Sequence, residues 1–256
     1  MKTHESILDY NITTLSKTEC ISTILRWLEN IEKHKYFICA NPHSLELARN
    51  DSDFSAAIEN ADLVTPDGVG IVIASKILGG NIYDRITGSD VFIGLSNVLN
   101  KKRKYSYFFL GSTEKTLEKI KDRMKVVFPN IKIAGTYSPP FKEDFSKEDN
   151  SFMIEAINNA KPDVLWVGMT APKQEKWIYH NKDKLNVSFI GAVGAAFDYF
   201  AGTKKRAPVW LQHLGLEWLP RLMLEPWRLW KRNFVSSPMF LGHVLIAMFK
   251  QVKSKS

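Results

Sequence analysis

The sequence contains few of the residues that build disulfide frameworks or metal centres. Its two cysteines, Cys20 and Cys39, have neither a disulfide pattern nor a metal-ligand spacing, which favours a reducing, cytosolic environment. The six histidines form no metal-binding pattern, and no Walker A, Gly-x-Ser-x-Gly or His-Glu-x-x-His sequence is present. The N-terminus has no basic segment followed by an apolar run, so no signal peptide is predicted. These absences argue against P-loop nucleotidases, α/β-hydrolases and zinc proteases.

Long apolar runs and C-terminal acids are also scarce. The apolar segment Met239–Phe249 is about half the ~20 residues that a bilayer span requires. From Lys204 onward the chain has ten Lys/Arg and only two acids, Glu217 and Glu225, whereas residues 1–203 carry 25 of each sign. The net charge of +8 therefore belongs to the C-terminal part of the chain, which is predicted to meet a polyanion.

Tryptophan is concentrated in the same basic segment. Four of the seven tryptophans, Trp210, Trp218, Trp227 and Trp230, are interleaved there with leucine and basic residues. This composition is typical of a segment that lies in a membrane interface without crossing the bilayer. A helix packed on the body through its Trp/Leu face is the alternative, and both remain open. Nucleic acid is not predicted, because the cations alternate with bulky apolar residues and no recognition motif is present.

The rest of the chain alternates strand-like and helix-like segments. With 45% hydrophobic and 24% charged residues, it has the composition of a soluble globular protein. This alternation predicts an α/β fold with a mostly parallel sheet flanked by helices on both faces. We expect a core over residues 1–202 and a C-terminal helical appendage over residues 203–256. The predicted strands are Tyr36–Ala40, Leu63–Pro66, Tyr107–Gly111, Ile131–Gly135, Asp163–Gly168 and Val187–Ile190.

Asp67 stands at the most informative strand-to-helix turn. Pro66 ends an apolar strand, Gly68 opens a helix, and open α/β sheets bind ligands beside such carboxyl ends. An acid facing the positive end of a helix is easily kept ionised and can serve as a base. The alternative is that Asp67 only caps the helix.

Other turns are candidates for binding or for simple capping. Asn41 is predicted to cap a helix that starts at Pro42, and Asp51 and Asp53 are assigned to a solvated corner between helices instead of a metal motif. The loop Gly168–Glu175 can hold a phosphate through amides and a lysine, or can be an ordinary capped helix start.

A nicotinamide site is only weakly supported. The turns Gly68–Gly70 and Gly191–Gly194 each lack the third glycine of a dinucleotide fingerprint. The loop Ser138–Ser146, with Pro139-Pro140 and mixed charges, is the segment predicted to be mobile.

Four blocks of sequence, taken together, resemble the WecG/TagA/CpsF family of bacterial glycosyltransferases. They follow the order of the family motifs over nearly the whole chain. The blocks are Thr65–Gly70 with Arg85–Asp90; Phe108–Gly111; Gly168–Trp177; and Gly191–Asp198 continuing through Gly202, Arg206–Pro208 and Gly215–Arg221.

The resemblance implies an inverting, metal-independent transfer from a UDP-sugar to a sugar carried on undecaprenyl diphosphate, without a cofactor. It also implies a Rossmann-like core and an appendage on the cytoplasmic face of the membrane. By motif match, Asp67 takes the place of the general base, with Asn41 and Arg85 as further catalytic positions. The implied substrate-binding positions are Cys39, His43, Gly68, Asp90, Gly111, Ser112, Pro172, Lys173, Gln174, Gly194, Arg206, Arg221, Arg228 and Arg232.

Two departures from the family pattern concern the donor sugar. Cys39 stands where well-studied members have threonine, and Pro42-His43-Ser44 differs from the mannosaminyl type. The donor is therefore left as a hexose or an N-acetylhexosamine, of the mannosaminyl or the glucosyl/galactosyl type. A non-catalytic nucleotide-binding module that docks on a membrane and a nicotinamide-dependent oxidoreductase are the alternative functions. The sequence leaves a homo-oligomer open.

Overall fold

The computed structural model describes residues 3–208, 210–211 and 215–255, with the side chains of Arg228 and of residues 251–255 outside the description. The strands are β1 (His4–Ile7), β2 (Tyr10–Thr13), β3 (Lys35–Ala40), β4 (Leu63–Pro66), β5 (Ser106–Gly111), β6 (Lys132–Tyr137), β7 (Val164–Gly168) and β8 (Phe189–Ala192). The core helices are α1 (Lys17–Glu29), α2 (Pro42–Ala48), α3 (Ser52–Glu59), α4 (Val69–Ile77), α5 (Gly88–Lys102), α6 (Glu114–Val127), α7 (Lys147–Ala160), α8 (Lys173–Asn181) and α9 (Ala196–Ala201). The C-terminal helices are α10 (Trp218–Leu224), α11 (Pro226–Trp230), a π-helical turn Lys231–Ser236 and α12 (Ser237–Lys255).

Strands β3 to β8 form one parallel sheet in the order β4-β3-β8-β7-β5-β6. Strands β5, β7 and β8 are almost entirely buried, which is the usual condition of a parallel sheet covered on both faces. The predicted α/β fold, a parallel sheet flanked by helices, is confirmed.

The alternation of side chains along the strands supplies two hydrophobic cores. Phe108 and Leu110 of β5 belong to the core on one face, whereas Tyr107 and Phe109 belong to the core on the other. The second core is dominated by aromatic rings in edge-to-face contact around Phe92, a favourable geometry for aromatic pairs. Because strands β3 to β8 are parallel, their carboxyl ends all lie at one edge of the sheet, here called the carboxyl edge.

The N-terminal hairpin of β1 and β2 is not among the predicted elements. Ile7 and Ile12 are fully buried, and the turn between the strands has positive φ at Leu8 and Asp9. Two-residue hairpin turns are recognised in sequence mainly by Asn-Gly or Asp-Gly, which this chain lacks here.

The C-terminal appendage combines a packed helix with an exposed one. Phe240 and Val244 of α12 are fully buried against the core that includes α2 and α4. His243 Nδ1 lies 2.9 Å from Glu46 Oε1, which adds a polar contact to this interface. The packing of α12 corresponds to the alternative of a helix packed on the body. In contrast, α10 and α11 expose most of their apolar residues, as the alternative of an interfacial segment requires. Within the described residues, every helix is too short or too polar to cross a bilayer.

Candidate active site

Five neighbouring strands bring the predicted site residues to the carboxyl edge. Asp67 follows β4, Asn41 follows β3, and Gly194 follows β8. The loop before Gln174 follows β7, and Ser112 follows β5. Because these strands are adjacent in the sheet, residues far apart in sequence face one shared region.

The turn that carries Asp67 is fixed by its backbone. The amide of Asp67 donates to the carbonyl of Ala40 at 2.7 Å, and the amide of Ile86 donates to the carbonyl of Pro66 at 2.8 Å. Gly68, at φ +116°, is the N-cap of α4 and makes no side-chain capping bond. The helix-capping role considered for Asp67 is therefore wrong. The Asp67 carboxylate is therefore not occupied in capping α4 and is available for other contacts at the carboxyl edge.

The surroundings of Asp67 perturb its ionisation. Burial raises the pKa of this half-buried carboxyl, opposed by the positive charges of Arg232, Arg85 and Arg221 and reinforced by the negative charge of Glu217. The upward direction of this pKa shift shows that loss of water outweighs the favourable charges. A raised pKa improves the proton affinity of a carboxylate that acts as a base near neutral pH.

The residues around Asn41 combine capping with proximity to Asp67. The Asn41 side chain accepts from the Ser44 amide at 3.1 Å, which confirms its predicted N-cap position at α2. Thr65 Oγ1 donates to Cys39 Sγ at 3.5 Å, and burial followed by the charge of Asp67 raises the pKa of this thiol. Cys39 thus remains a neutral thiol beside the candidate base.

The Gln174 side chain is fixed beside the turn after β8. Its Oε1 accepts from the Met169 amide at 3.2 Å, and its Nε2 donates to Glu175 Oε1 at 2.8 Å. A Cβ added at Gly194, which has φ +49°, would lie 3.6 Å from Gln174 Nε2. The charges of Glu175 and Asp67 both act on the thiol of Cys39, which connects this loop with the Asp67 turn.

Two predicted phosphate contacts are engaged within the protein. The amide of Ser112 donates to the carbonyl of Gly168 at 3.1 Å, and Thr113, not Ser112, caps α6. Lys173 Nζ donates to the Lys142 carbonyl and lies 3.7 Å from the centre of the Phe145 ring. The Ser112 amide and one of the Lys173 Nζ donors are therefore already engaged within the protein.

The loop that carries Lys173 differs slightly from the predicted one. Helix α8 starts at Lys173, with Pro172 as its N-cap, and the Ala171–Pro172 bond is cis. Gly111, at φ +113°, lies so close to β7 that an added Cβ would be 2.5 Å from the Gly168 carbonyl oxygen. Glycine at position 111 thus permits the close approach of two backbones at the carboxyl edge.

Arg206 of the appendage reaches the core through an ion-pair cluster. Its Nε lies 3.0 Å from Glu217 Oε1, while Arg85 Nη1 lies 2.8 Å from Glu217 Oε2. Arg206 Nη2 donates to Thr87 Oγ1 at 3.4 Å, and its Nη1 lies 3.9 Å from Asp90 Oδ1. Three predicted site residues, Arg85, Asp90 and Arg206, are thereby brought together.

The other appendage arginines take different positions. The guanidinium of Arg221 lies 5.9 Å from the centre of the Tyr199 ring, and the charge of Arg232 acts on both Asp67 and His43. His43 Nδ1 is 2.8 Å from Ser236 Oγ in the π-helical turn. The predicted contribution of Arg228 falls on a side chain outside the described residues.

Asp51 and Asp53 occupy the predicted corner between helices. Asp51 accepts from the Phe54 amide at 3.0 Å at the start of α3. Lys176 Nζ lies 2.5 Å from Asp51 Oδ2, and His180 Nε2 lies 2.7 Å from Asp53 Oδ1. In the described part of the chain, no three His, Cys, Asp or Glu residues are grouped as metal ligands would be.

Sequence reasoning missed two buried acids of this region. Glu217 joins Arg85 and Arg206, and Glu175 holds the amide of Gln174. The sequence did contain a signal for Glu217, because an acid is unusual in this strongly basic segment. Nothing in the sequence indicates the burial of Glu175, because polar neighbours flank it in α8.

Comparison with known proteins agrees with this architecture. Residues 5–254 match the model of the Glycosyl transferase WecG/TagA/CpsF family. A Bacillus subtilis protein named N-acetylglucosaminyldiphosphoundecaprenol N-acetyl-beta-D-mannosaminyltransferase is 33% identical over 241 residues, covering 91% of this chain and 89% of the relative. Proteins of the same name are 32% identical in Bacillus spizizenii, covering 83% and 79%, and 29% identical in Staphylococcus aureus, covering 91% and 92%.

These matches exclude the alternative functions that were considered from the sequence. A family of transferases that spans nearly the whole chain is inconsistent with a nicotinamide-dependent oxidoreductase or a module without chemistry. The resemblance read from the four sequence blocks is confirmed. The chain belongs to the WecG/TagA/CpsF family and is a glycosyltransferase.

Proposed function

We propose that this glycosyltransferase moves a hexose or N-acetylhexosamine from a UDP-sugar to a sugar on undecaprenyl diphosphate, with inversion and without a metal ion. The observation that carries the proposal is the position of Asp67. Its carboxyl is half-buried at the carboxyl edge, where the positive charges of Arg221 and Arg232 of the appendage act on it. The names of the relatives specify an N-acetylglucosaminyl acceptor on undecaprenyl diphosphate, which supports this acceptor class.

The proposed reaction is a single displacement. Asp67 takes the proton of the acceptor hydroxyl, and the resulting oxygen forms a bond to the anomeric carbon of the donor sugar. The bond between this carbon and the diphosphate breaks, and its electron pair leaves with UDP. A base raised in pKa by burial is suited to this step, and positioned general bases contribute about 10²–10⁴-fold in rate.

Positive side chains supply the charge that a departing diphosphate requires. Arg85 lies close to the candidate base, and Arg206, Arg221 and Arg232 add the guanidinium groups of the appendage. Guanidinium groups bind phosphate oxygens in a forked geometry, in place of a divalent cation. We therefore expect turnover to persist in EDTA.

The appendage is proposed to rest on an anionic membrane, with the enzyme on the cytoplasmic face. Met223, Leu224 and Trp227 are 80%, 76% and 90% exposed, and Lys231 Nζ lies 5.9 Å from the centre of the Trp230 ring. Exposed apolar residues beside cations bind an interface through apolar burial and attraction to anionic lipids. This contact would place a lipid-linked acceptor beside the carboxyl edge.

The test compares Asp67→Asn with Asp53→Asn, an exposed acid of the inter-helix corner. We expect Asp67→Asn to fold and bind UDP, while its turnover falls by about 10²–10⁴-fold. Product is followed by mass spectrometry with undecaprenyl-diphosphate N-acetylglucosamine as acceptor. The donors are UDP-N-acetylmannosamine, UDP-N-acetylglucosamine, UDP-glucose and UDP-galactose.

The same assay identifies the donor and can refute the mechanism. Wild-type turnover by Asp67→Asn would show that this carboxylate does not act as the base. Equal losses in Asp67→Asn and Asp53→Asn would point to general damage. Strict dependence on a divalent ion would overturn the metal-independent scheme.

A further inference from the structure

Glu217 is a buried acid within a strongly basic segment. Its residue surface is 9% exposed, and it is the N-cap of α10 without a side-chain capping bond. Its carboxylate is instead directed to guanidinium groups. A buried carboxylate must find such partners, since burial of an unpaired charge is strongly unfavourable.

The contacts of Glu217 join three separate segments of the chain. Oε2 lies 2.8 Å from Arg85 Nη1, on the segment that follows α4 in the core. Oε1 lies 3.0 Å from Arg206 Nε, and Oε2 lies 3.4 Å from Arg206 Nη2, on the segment that follows α9. Oε1 thus accepts from Arg206 alone, whereas Oε2 accepts from both Arg85 and Arg206, in charge-assisted contacts.

Arg206 is also held by residues of the core. Arg206 reaches Thr87 Oγ1 at 3.4 Å and Asp90 Oδ1 at 3.9 Å, both in the first turn region of α5. The charges of Arg85 and Glu217 both act on Asp67. Glu217 therefore connects the start of α10 with the residues that surround the candidate base.

We propose that Glu217 is a positioning residue, whose carboxylate docks α10 on the core, holds Arg85 near Asp67 and holds Arg206 against the start of α5. This inference rests on the proposed function for its kinetic consequence, although the docking contact can be measured without any substrate. Loss of the Glu217 charge removes a counter-ion from two partly buried guanidinium groups.

The matched control is Glu225, the other acid of the appendage. Glu225 Oε1 lies 2.8 Å from Lys204 Nζ, but both side chains are substantially exposed, at 30% and 44%. Exposed pairs contribute little, whereas hydrogen bonds between buried charged groups contribute more. Glu225→Gln thus removes one appendage carboxylate without opening the contact to Arg85.

The first measurement is hydrogen exchange of the α10 amides in the full-length protein without substrate. We expect Glu217→Gln to accelerate this exchange by about tenfold to hundredfold. We expect Glu225→Gln to change it by less than about threefold. Glu217→Asp keeps the charge on a shorter side chain and should fall between Glu217→Gln and wild type.

The second measurement separates kcat from the two KM values. Glu217→Gln should lower kcat and raise the KM of both substrates, because Arg85 and Arg206 are assigned to the departing diphosphate. We expect kcat/KM to fall by about tenfold or more. Partial recovery in Glu217→Asp distinguishes positioning from general destabilisation. If Glu217→Gln does not fold, Glu217→Asp carries the comparison with Glu225→Gln.

The outcomes distinguish this inference from the proposed function. Wild-type exchange and wild-type kcat in Glu217→Gln would overturn the inference, even when Asp67→Asn is inactive. Equal acceleration in every helix, with Glu217→Asp no better than Glu217→Gln, would also overturn it. Full activity of Asp67→Asn would refute the proposed base, while the exchange of α10 would still decide the docking role of Glu217.

Discussion

Glu175 makes the stability of this protein depend on pH in an unusual direction. Its side chain lies in the first turn of α8 and is only 4% exposed. Burial raises the pKa of Glu175 to about 7 from an ordinary value of 4.5, in spite of the hydrogen bond from Gln174 Nε2. The folded protein therefore holds a proton that the unfolded chain releases above pH ~4.5.

The size of the effect follows from the difference between these two values. At about 1.4 kcal/mol per pH unit, a pKa of about 7 instead of 4.5 corresponds to roughly 3 kcal/mol of unfolding free energy. Because the folded pKa of this acid is raised, its contribution is present at low pH and is lost as pH rises from ~4.5 to ~7. Glu175→Gln keeps an oxygen that can accept from Gln174 but cannot ionise. We expect the unfolding free energy of Glu175→Gln, relative to wild type, to increase by roughly 3 kcal/mol between about pH 4 and pH 8.

Urea denaturation followed by tryptophan fluorescence at a series of pH values measures this difference. Glu155→Gln, an exposed glutamate of α7, is the control and should run parallel to wild type. Parallel curves for wild type and Glu175→Gln would refute the argument, because a buried carboxyl that titrates normally cannot be desolvated as described.

Three further changes test other parts of the molecule. Arg232→Gln removes the charge that most lowers the pKa of Asp67, so the acidic limb of the kcat profile should move to higher pH. Gly111→Ala should lower the unfolding free energy by about 3 kcal/mol, since its Cβ would meet a carbonyl oxygen at a positive φ, as urea denaturation can measure. Trp227→Glu should reduce sedimentation with anionic vesicles, whereas Phe152→Glu, at an exposed position of α7, should not.

Each of these expectations has a clear contrary result. A shift of the acidic limb of Arg232→Gln to lower pH would show that the charge of Arg232 does not lower the pKa of Asp67. An added Cβ at Gly242 meets no atom within 4 Å, so Gly242→Ala should be tolerated, and an equal loss for Gly111→Ala and Gly242→Ala would contradict the steric argument. Undiminished sedimentation of Trp227→Glu would place the membrane contact elsewhere.

Local sequence determined the elements of the core and much of the carboxyl edge. Apolar runs predicted the strands, Asn41 and Pro42 predicted the start of α2, and the Pro66–Gly68 turn predicted an acid directly after β4. These features depend on residues close together in the chain, so periodicity and turn chemistry suffice to find them. The order of the motif blocks then indicated the family.

Tertiary structure alone decided which of these pieces meet and how water is excluded from them. It inserted β8 between β3 and β7, which brought Gly194 to Gln174, and it paired Glu217 with Arg85, far away in the sequence. It also buried the carboxyl of Asp67 enough to raise its pKa. Pairing between distant segments and the desolvation of a charge depend on three-dimensional packing, which local sequence patterns do not contain.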